Sequence, residues 1–191
     1  MAHNTNKFMV EGTKLSGLNI INRSPEGDSR GSFERIFCED ELFQLGVKHE
    51  ISQINISENI RKGTLRGMHF QTQQAADSKI ISCIRGSVWD VVVDLRRNSP
   101  TFLETFSMEI NEFNHQSIHV PRGFAHGFQT LTDNSTLLYF HNAPHKSNAQ
   151  RYLNPLDPRL EIDWPTKVTE ISDLDRNSPK LSELREDDFF E

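Results

Sequence analysis

From Lys79 to Phe140 the chain reads as a succession of short β-type runs parted by turn residues, and no other feature limits its fold as much. Lys79–Ile84 is followed by Arg85-Gly86 and then Ser87–Leu95, two periodic runs whose short glycine turn predicts a hairpin. Phe102–Ile110 and Gln116–Val120 continue as strands. Ala125–Leu131 and Thr136–Phe140 flank Thr132-Asp-Asn-Ser135 as a second predicted hairpin. Helical signals are confined to the ends, with about two turns from Glu39 to Leu45 and one from Lys180 to Arg185. Without β–α alternation the pattern points to an antiparallel sandwich or barrel. The stretch Glu183–Glu191 mixes acidic residues with Phe189 and Phe190 and reads as a frayed tail, unless the two rings dock on a neighbour.

At 191 residues the chain is expected to form one domain. Thirteen Phe and two Trp supply core residues that a disordered chain lacks. A net charge of −6 argues against a general nucleic-acid binder, which needs a basic face. Cys38 and Cys83 are too few for a disulfide framework, which fits a reducing cytosol. The polar N-terminus has no apolar signal core, and Val88–Leu95, the longest apolar run, is broken by Asp90 and Asp94. A cytoplasmic protein with no membrane partner is expected.

Eight histidines invite a metal site. Pro121-Arg-Gly-Phe-Ala-His126 has the Pro-x-Gly-x-x-His spacing of the second cupin motif, in which the histidine can be a ligand. The first such motif needs His-x-His followed by Glu, and Gly67-Met-His-Phe-Gln71 supplies one histidine only. Grouping His69, His119 and His126 as three ligands has no support from spacing. Within Gly63–Gln71, a period of two puts Leu65, Gly67, His69 and Gln71 on one face and Arg66 and Met68 on the other. The residues alone leave His69 either a hydrogen-bonded interior group or one beside a ligand. Asp90 and Asp94 share a face with Val88 and Val92 and need partners, and Arg96 and Arg97 make a structural ion pair the expectation for Asp94. Tyr139 lies on the face of Leu137, where a tyrosine more commonly packs in a core.

The order of motifs is more specific. Leu65-Arg-Gly-Met-His69, Lys79, Val88–Arg96, Ser99-Pro-Thr-Phe102, Val120–Phe128, Tyr139, Asp157-Pro, Ile162-Asp-Trp-Pro165 and Ser172-Asp-Leu-Asp175 occur in sequence. Together, over about residues 15 to 180, they resemble the dTDP-4-dehydrorhamnose 3,5-epimerase family. The resemblance implies a mainly β fold, a cupin-like jelly-roll β-barrel with short helices near the termini. It also implies a homodimer, no metal or other cofactor, and a nucleoside-diphosphate 4-keto-6-deoxy sugar as substrate. By resemblance His69 is the base, Asp175 its carboxylate partner, Lys79 the stabiliser of enolate charge and Tyr139 the general acid. Arg30, Arg66 and His126 match diphosphate positions, with Arg30 and Phe33, in Arg30-Gly-Ser-Phe33, on a segment that reaches across the dimer. Gln53 and Asn55 match nucleotide contacts.

Four positions depart from the family pattern. Arg35 replaces a glutamate, His145 a tyrosine close to the base, Gln150 a glutamate, and Leu174 a lysine beside Asp175. His145 therefore counts as a substrate-side residue of altered chemistry. These departures leave open the nucleotide base (thymine, cytosine or guanine) and the sugar; whether C3, C5 or both are inverted also stays open, because the same base and acid serve both carbons. A non-catalytic carbohydrate-binding cupin is the alternative of another class, disfavoured because His69, Lys79 and Tyr139 occur together.

Overall fold

The computed structural model describes residues 3–5 and 7–191; Met1, Ala2 and Asn6, part of the polar N-terminus, lie outside the described residues. The strands are β1 (His3–Asn4), β2 (Phe8–Gly12), β3 (Asn19–Arg23), β4 (Glu26–Asp28), β5 (Gly31–Phe33), β6 (Gln53–Asn59), β7 (Thr64–Gln71) and β8 (Lys79–Arg85). They continue as β9 (Ser87–Asp94), β10 (Thr105–Asn111), β11 (Gln116–Val120), β12 (Phe124–Thr130), β13 (Ser135–His141), β14 (Gln150–Tyr152) and β15 (Glu170–Ile171). The two short α-helices are α1 (Glu39–Gln44) and α2 (Asp173–Arg176). One sheet runs β1-β2-β3-β11-β8-β13-β6 and the other β10-β9-β12-β7-β14, with β15 parallel to β7. The two sheets face each other as a jelly roll.

Neither predicted hairpin forms. β8 pairs with β11 and β13, whereas β9 pairs with β10 and β12, so Gly86 carries the chain from one sheet to the other. The turn after β12 does the same, because β13 pairs with β6 and β8. These strands are buried on both faces and lack the alternation that would assign them to a sheet. Between the sheets lie Ile81, Cys83, Val88, Val92, Ile118, Phe128 and Leu137. α1 lays Leu42 on Ile80, Phe140 and Phe8 over the outside of the larger sheet.

The C-terminal stretch covers the outside of the other sheet, and this corrects the expectation of a frayed tail. Phe189 and Phe190 pack with Phe70, Val93, Leu95 and Leu181. The Phe190 N–H donates to the Leu95 carbonyl at 3.0 Å, and the Arg97 guanidinium lies 4.7 Å over the Phe189 ring. The terminal helical signal becomes two 3₁₀ turns, Leu181–Glu183 and Glu186–Asp188. The strand expected from Phe102 begins at Thr105 instead. Before it, Ser99 and Thr101 donate to the Asp94 carboxylate at 2.6 and 2.8 Å, and Arg96 pairs with it at 2.7 Å, the expected structural role.

One irregularity shapes everything near the cavity. His126 is opposite His69 and Phe128 opposite Arg66, so Gly67 and Met68 together face Gly127 alone. This β-bulge shifts the alternation by one residue. Met68 therefore packs outward with Phe70, and Arg66 and His69 point to the same side, contrary to the period-two expectation. The strands touch at their glycines: a Cβ on Gly67, whose φ is +123°, would lie 2.5 Å from the Gly127 Cα. Gly67→Ala is expected to cost about 2–4 kcal/mol through this backbone clash and the positive φ. Urea denaturation followed by tryptophan fluorescence checks it, and an unchanged midpoint would refute the tight approach.

Candidate active site

On β8 and β13 the inward faces change from apolar to polar toward one end of the sandwich. On β8 the inward series is Lys79, Ile81, Cys83; on β13 it is Leu137, Tyr139, His141. Lys79 and Tyr139, with His126 of β12 and Arg66 and His69 of β7, line a cavity of about 260 Å³. A groove of about 640 Å³ adjoins it and shares Arg66, His69, His145 and Gln150 with it. Asp175 lines the far wall of that groove.

His69 and Asp175 form a dyad across 106 residues of sequence. His69 Nε2 donates to Asp175 Oδ1 at 2.7 Å, which leaves Nδ1 as the basic nitrogen of the neutral ring. The Gly67 N–H donates to the other carboxylate oxygen at 3.3 Å. α2 brings Asp175 to this point: Ser172 caps the helix by accepting from the Asp175 N–H at 3.0 Å. Burial acts to raise the Asp175 carboxyl, but the bonds from His69, Gly67 and Ser172 outweigh it and hold it below the usual range. The Tyr152 ring meets the His69 ring edge-on with centroids 5.2 Å apart.

Tyr139 stands deeper. Its phenol is raised well above 10, by burial first and the charge of Asp90 second, so it keeps its proton at neutral pH. His126 donates Nε2–H to Asp90 Oδ2 at 2.7 Å, and burial pushes its ring toward the neutral form. Asp90, fully buried on the face of Val88 and Val92, thus serves His126. Arg66 is oriented by Asn59, whose side-chain oxygen accepts from Nε at 2.8 Å.

The remaining expected residues are distributed unevenly. Asn55 lines the cavity as the register partner of Tyr139, and Gln53 accepts from the His145 N–H at 3.0 Å. His145 Nε2 donates to Gln150 Oε1 at 3.1 Å at the cavity mouth, so two departures from the family pattern bond to each other. Arg30 and Phe33 are not brought to this cavity within one chain. They lie on the β4–β5 hairpin, Arg30 paired with Asp28 and Phe33 73% exposed. Arg35 pairs with Glu41, and Leu174 is exposed beside the dyad. His119 contacts His49 and Asn19, apart from His69 and His126. Among the described residues no three histidine, cysteine or acidic side chains are grouped to hold a metal ion.

Sequence reasoning missed Asp77 and His141, which line the same cavity. Both were within reach of the period-two rule, His141 two residues beyond Tyr139 and Asp77 two before Lys79.

A histidine held by a carboxylate, a protonated phenol, a lysine and an arginine meet around one cavity on a jelly-roll scaffold, a set of groups suited to acid–base chemistry. The family model described as dTDP-4-dehydrorhamnose 3,5-epimerase matches residues 12–183, and the chain belongs to that family. It is 35% identical over 179 residues to a dTDP-4-dehydrorhamnose 3,5-epimerase of Sinorhizobium fredii, covering 93% of this chain and 92% of that protein. It is 32% identical to a dTDP-4-dehydrorhamnose 3-epimerase of Streptomyces niveus, covering 90% of this chain and 83% of the other. Among solved structures it is similar to a 3,5-epimerase of Legionella pneumophila in complex with dTDP-4-keto-L-rhamnose. The TM-score is 0.89 and the identity 32%, over 95% of this chain and 96% of that one.

The dyad has a pH signature. Because the folded Asp175 carboxyl is held below the ordinary aspartate value of 3.8, its pairing stabilises the fold above that pH. The contribution is lost as pH falls through the lowered folded value. Asp175→Asn is expected to reduce stability more at pH 7 than at pH 3. Denaturant titrations of both proteins at the two pH values measure the difference, and an equal gap at both would rule out an ionic contribution.

Proposed function

We propose that the chain inverts C3 and C5 of a thymidine-diphosphate-linked 4-keto-6-deoxy sugar, as in rhamnose-type sugar synthesis. The observation that carries this is the convergence of the His69–Asp175 dyad, Lys79 and Tyr139 on one cavity. The C4 ketone makes the neighbouring C–H bonds acidic, because the resulting carbanion is delocalised as an enolate. His69 Nδ1 takes the proton, and Asp175 stabilises the imidazolium that forms. Lys79 supplies positive charge to the developing enolate oxygen. Tyr139 returns a proton from the opposite face; without a second donor the base would restore the starting configuration.

Arg66, His126 and Arg30 are assigned to the diphosphate, where cations in a groove pair with phosphate oxygens. Gln53 and Asn55 are assigned to the nucleoside, and His145 to the mouth beside the base. The reading includes a homodimer, in which the exposed Phe33 and Arg30 reach a neighbour's groove. It also includes a cytoplasmic location, in keeping with two free cysteines; no helix among the described residues is long and apolar enough to cross a membrane. Thymidine is favoured over other bases by the ligand in the Legionella structure. A one-carbon outcome is the second reading, favoured by the His145–Gln150 pair at the mouth and by the similarity to a 3-epimerase.

Proton NMR of dTDP-4-keto-6-deoxyglucose with the enzyme in deuterated water tests the proposal. Loss of both the C3 and C5 signals beyond an enzyme-free control is expected. Loss of one alone supports the second reading, and loss of neither refutes a thymidine-linked substrate. His69→Ala and Tyr139→Phe are each expected to lower kcat by ~10²–10⁴-fold with the fold intact. Near-normal turnover in either removes the assigned role. Arg66→Ala is expected to weaken nucleotide binding, measured by calorimetry with dTDP; unchanged affinity would overturn its phosphate contact.

A further inference from the structure

Besides His69–Asp175 and His126–Asp90, the cavity is lined by a third histidine–carboxylate pair, His141 and Asp77. Register brings it about: His141 ends β13 directly beside Lys79 at the start of β8, and Asp77 lies two residues before Lys79. His141 Nδ1 donates to Asp77 Oδ2 at 2.7 Å, and Gln71 Nε2 donates to Asp77 Oδ1 at 3.3 Å. Lys79 Nζ lies 4.0 Å from the same Asp77 Oδ2. Burial of Asp77, 8% exposed, acts against its charge. Lys79 and His141 outweigh that cost and hold its carboxyl well below the usual range.

His141 also packs on the general acid. Its ring lies against Tyr139 with centroids 5.9 Å apart and planes within 13°, while His126 meets Tyr139 from another side at 6.0 Å and 74°. The Tyr139 ring therefore touches two histidines, each tied to its own carboxylate, Asp77 for His141 and Asp90 for His126. A phenol held between two anchored rings has little freedom to tilt. One carboxylate thus restrains both groups that act away from His69, the ammonium directly and the phenol through a ring.

We propose that Asp77 is a positioning residue that, with His141, aligns Lys79 for the enolate oxygen and Tyr139 for proton delivery to the face opposite His69. This rests on the reading above and adds two residues to it. It makes a prediction that a purely structural role does not. His69 and Asp175 do not contact Asp77, so proton removal and return on the His69 face continue, slowed only by the looser hold on Lys79. Inversion, which needs Tyr139 in place, suffers more.

The test is Asp77→Asn in deuterated water, with exchange into unreacted sugar and formation of inverted product followed in the same sample. Inversion is expected to slow by about 10–100-fold, the scale of a misaligned catalytic group, with KM little changed. Exchange without inversion is expected to fall less, so its ratio to inversion rises. His141→Gln, which keeps a donor for Asp77 and removes the ring, is expected to raise the same ratio and covers the case in which Asp77→Asn does not fold. Wild-type turnover in both variants, or a proportional fall of exchange and inversion, overturns the proposal. If the wild-type enzyme exchanges neither carbon, the functional reading fails on its own account. Imidazole ¹⁵N spectra still test the pair, with the Nδ1–H form of His141 expected in the wild type and lost in Asp77→Ala. A wild-type ring protonated only on Nε2 overturns it.

Discussion

The close approach of Gly67 and Gly127 is the contact on which the site depends. Two residues of β7 face one of β12, and the absence of side chains at both glycines lets the backbones meet there. The extra residue turns Arg66 and His69 to the same side and sends Met68 into the outer apolar layer. It also leaves the Gly67 N–H for Asp175, so the bulge that aims His69 helps to hold its partner. In a regular strand His69 and Arg66 would face opposite sides of the sheet.

Apolar layers cover both sheets, one built with α1 and the other with the C-terminal stretch, and a third lies between them. On β8 and β13 the inner layer gives way to charged and polar groups at one end. There, each buried carboxylate has a histidine: Asp175 with His69, Asp90 with His126, Asp77 with His141. Buried carboxylates are tolerated because these donors compensate for lost solvation. Acid–base chemistry needs such groups in defined protonation states, and low polarity keeps Tyr139 protonated while its partners keep Asp175 and Asp77 ionised.

Much of this was legible in the chain. The short runs and scarce helical signals specified an antiparallel β architecture, and the motif order singled out His69, Asp175, Lys79 and Tyr139, which the fold brings to one cavity and its adjoining groove. The hairpins were misread because β8 and β12 are buried on both faces, so their residues do not record which sheet they join. The tail was misread because its acidic residues suggested solvent, whereas Asp188 is buried against Arg151 and Arg185 and the two phenylalanines cover a sheet. Asp77 and His141 carried the right spacing from Lys79 and Tyr139, but nothing local showed that the two positions meet.

The sequence by itself determined which side chains can accept, donate and carry charge, and the periodicity that makes strands of the segments bearing them. Those are properties of residue type and of neighbours within a few positions. Tertiary structure alone decided which faces meet: that a bulge rephases β7, that Asp175 crosses 106 positions to reach His69, and that Asp77 lies between Lys79 and His141. Such pairings depend on strand order and register, which arise from the packing of whole sheets and are not encoded in any short stretch of chain.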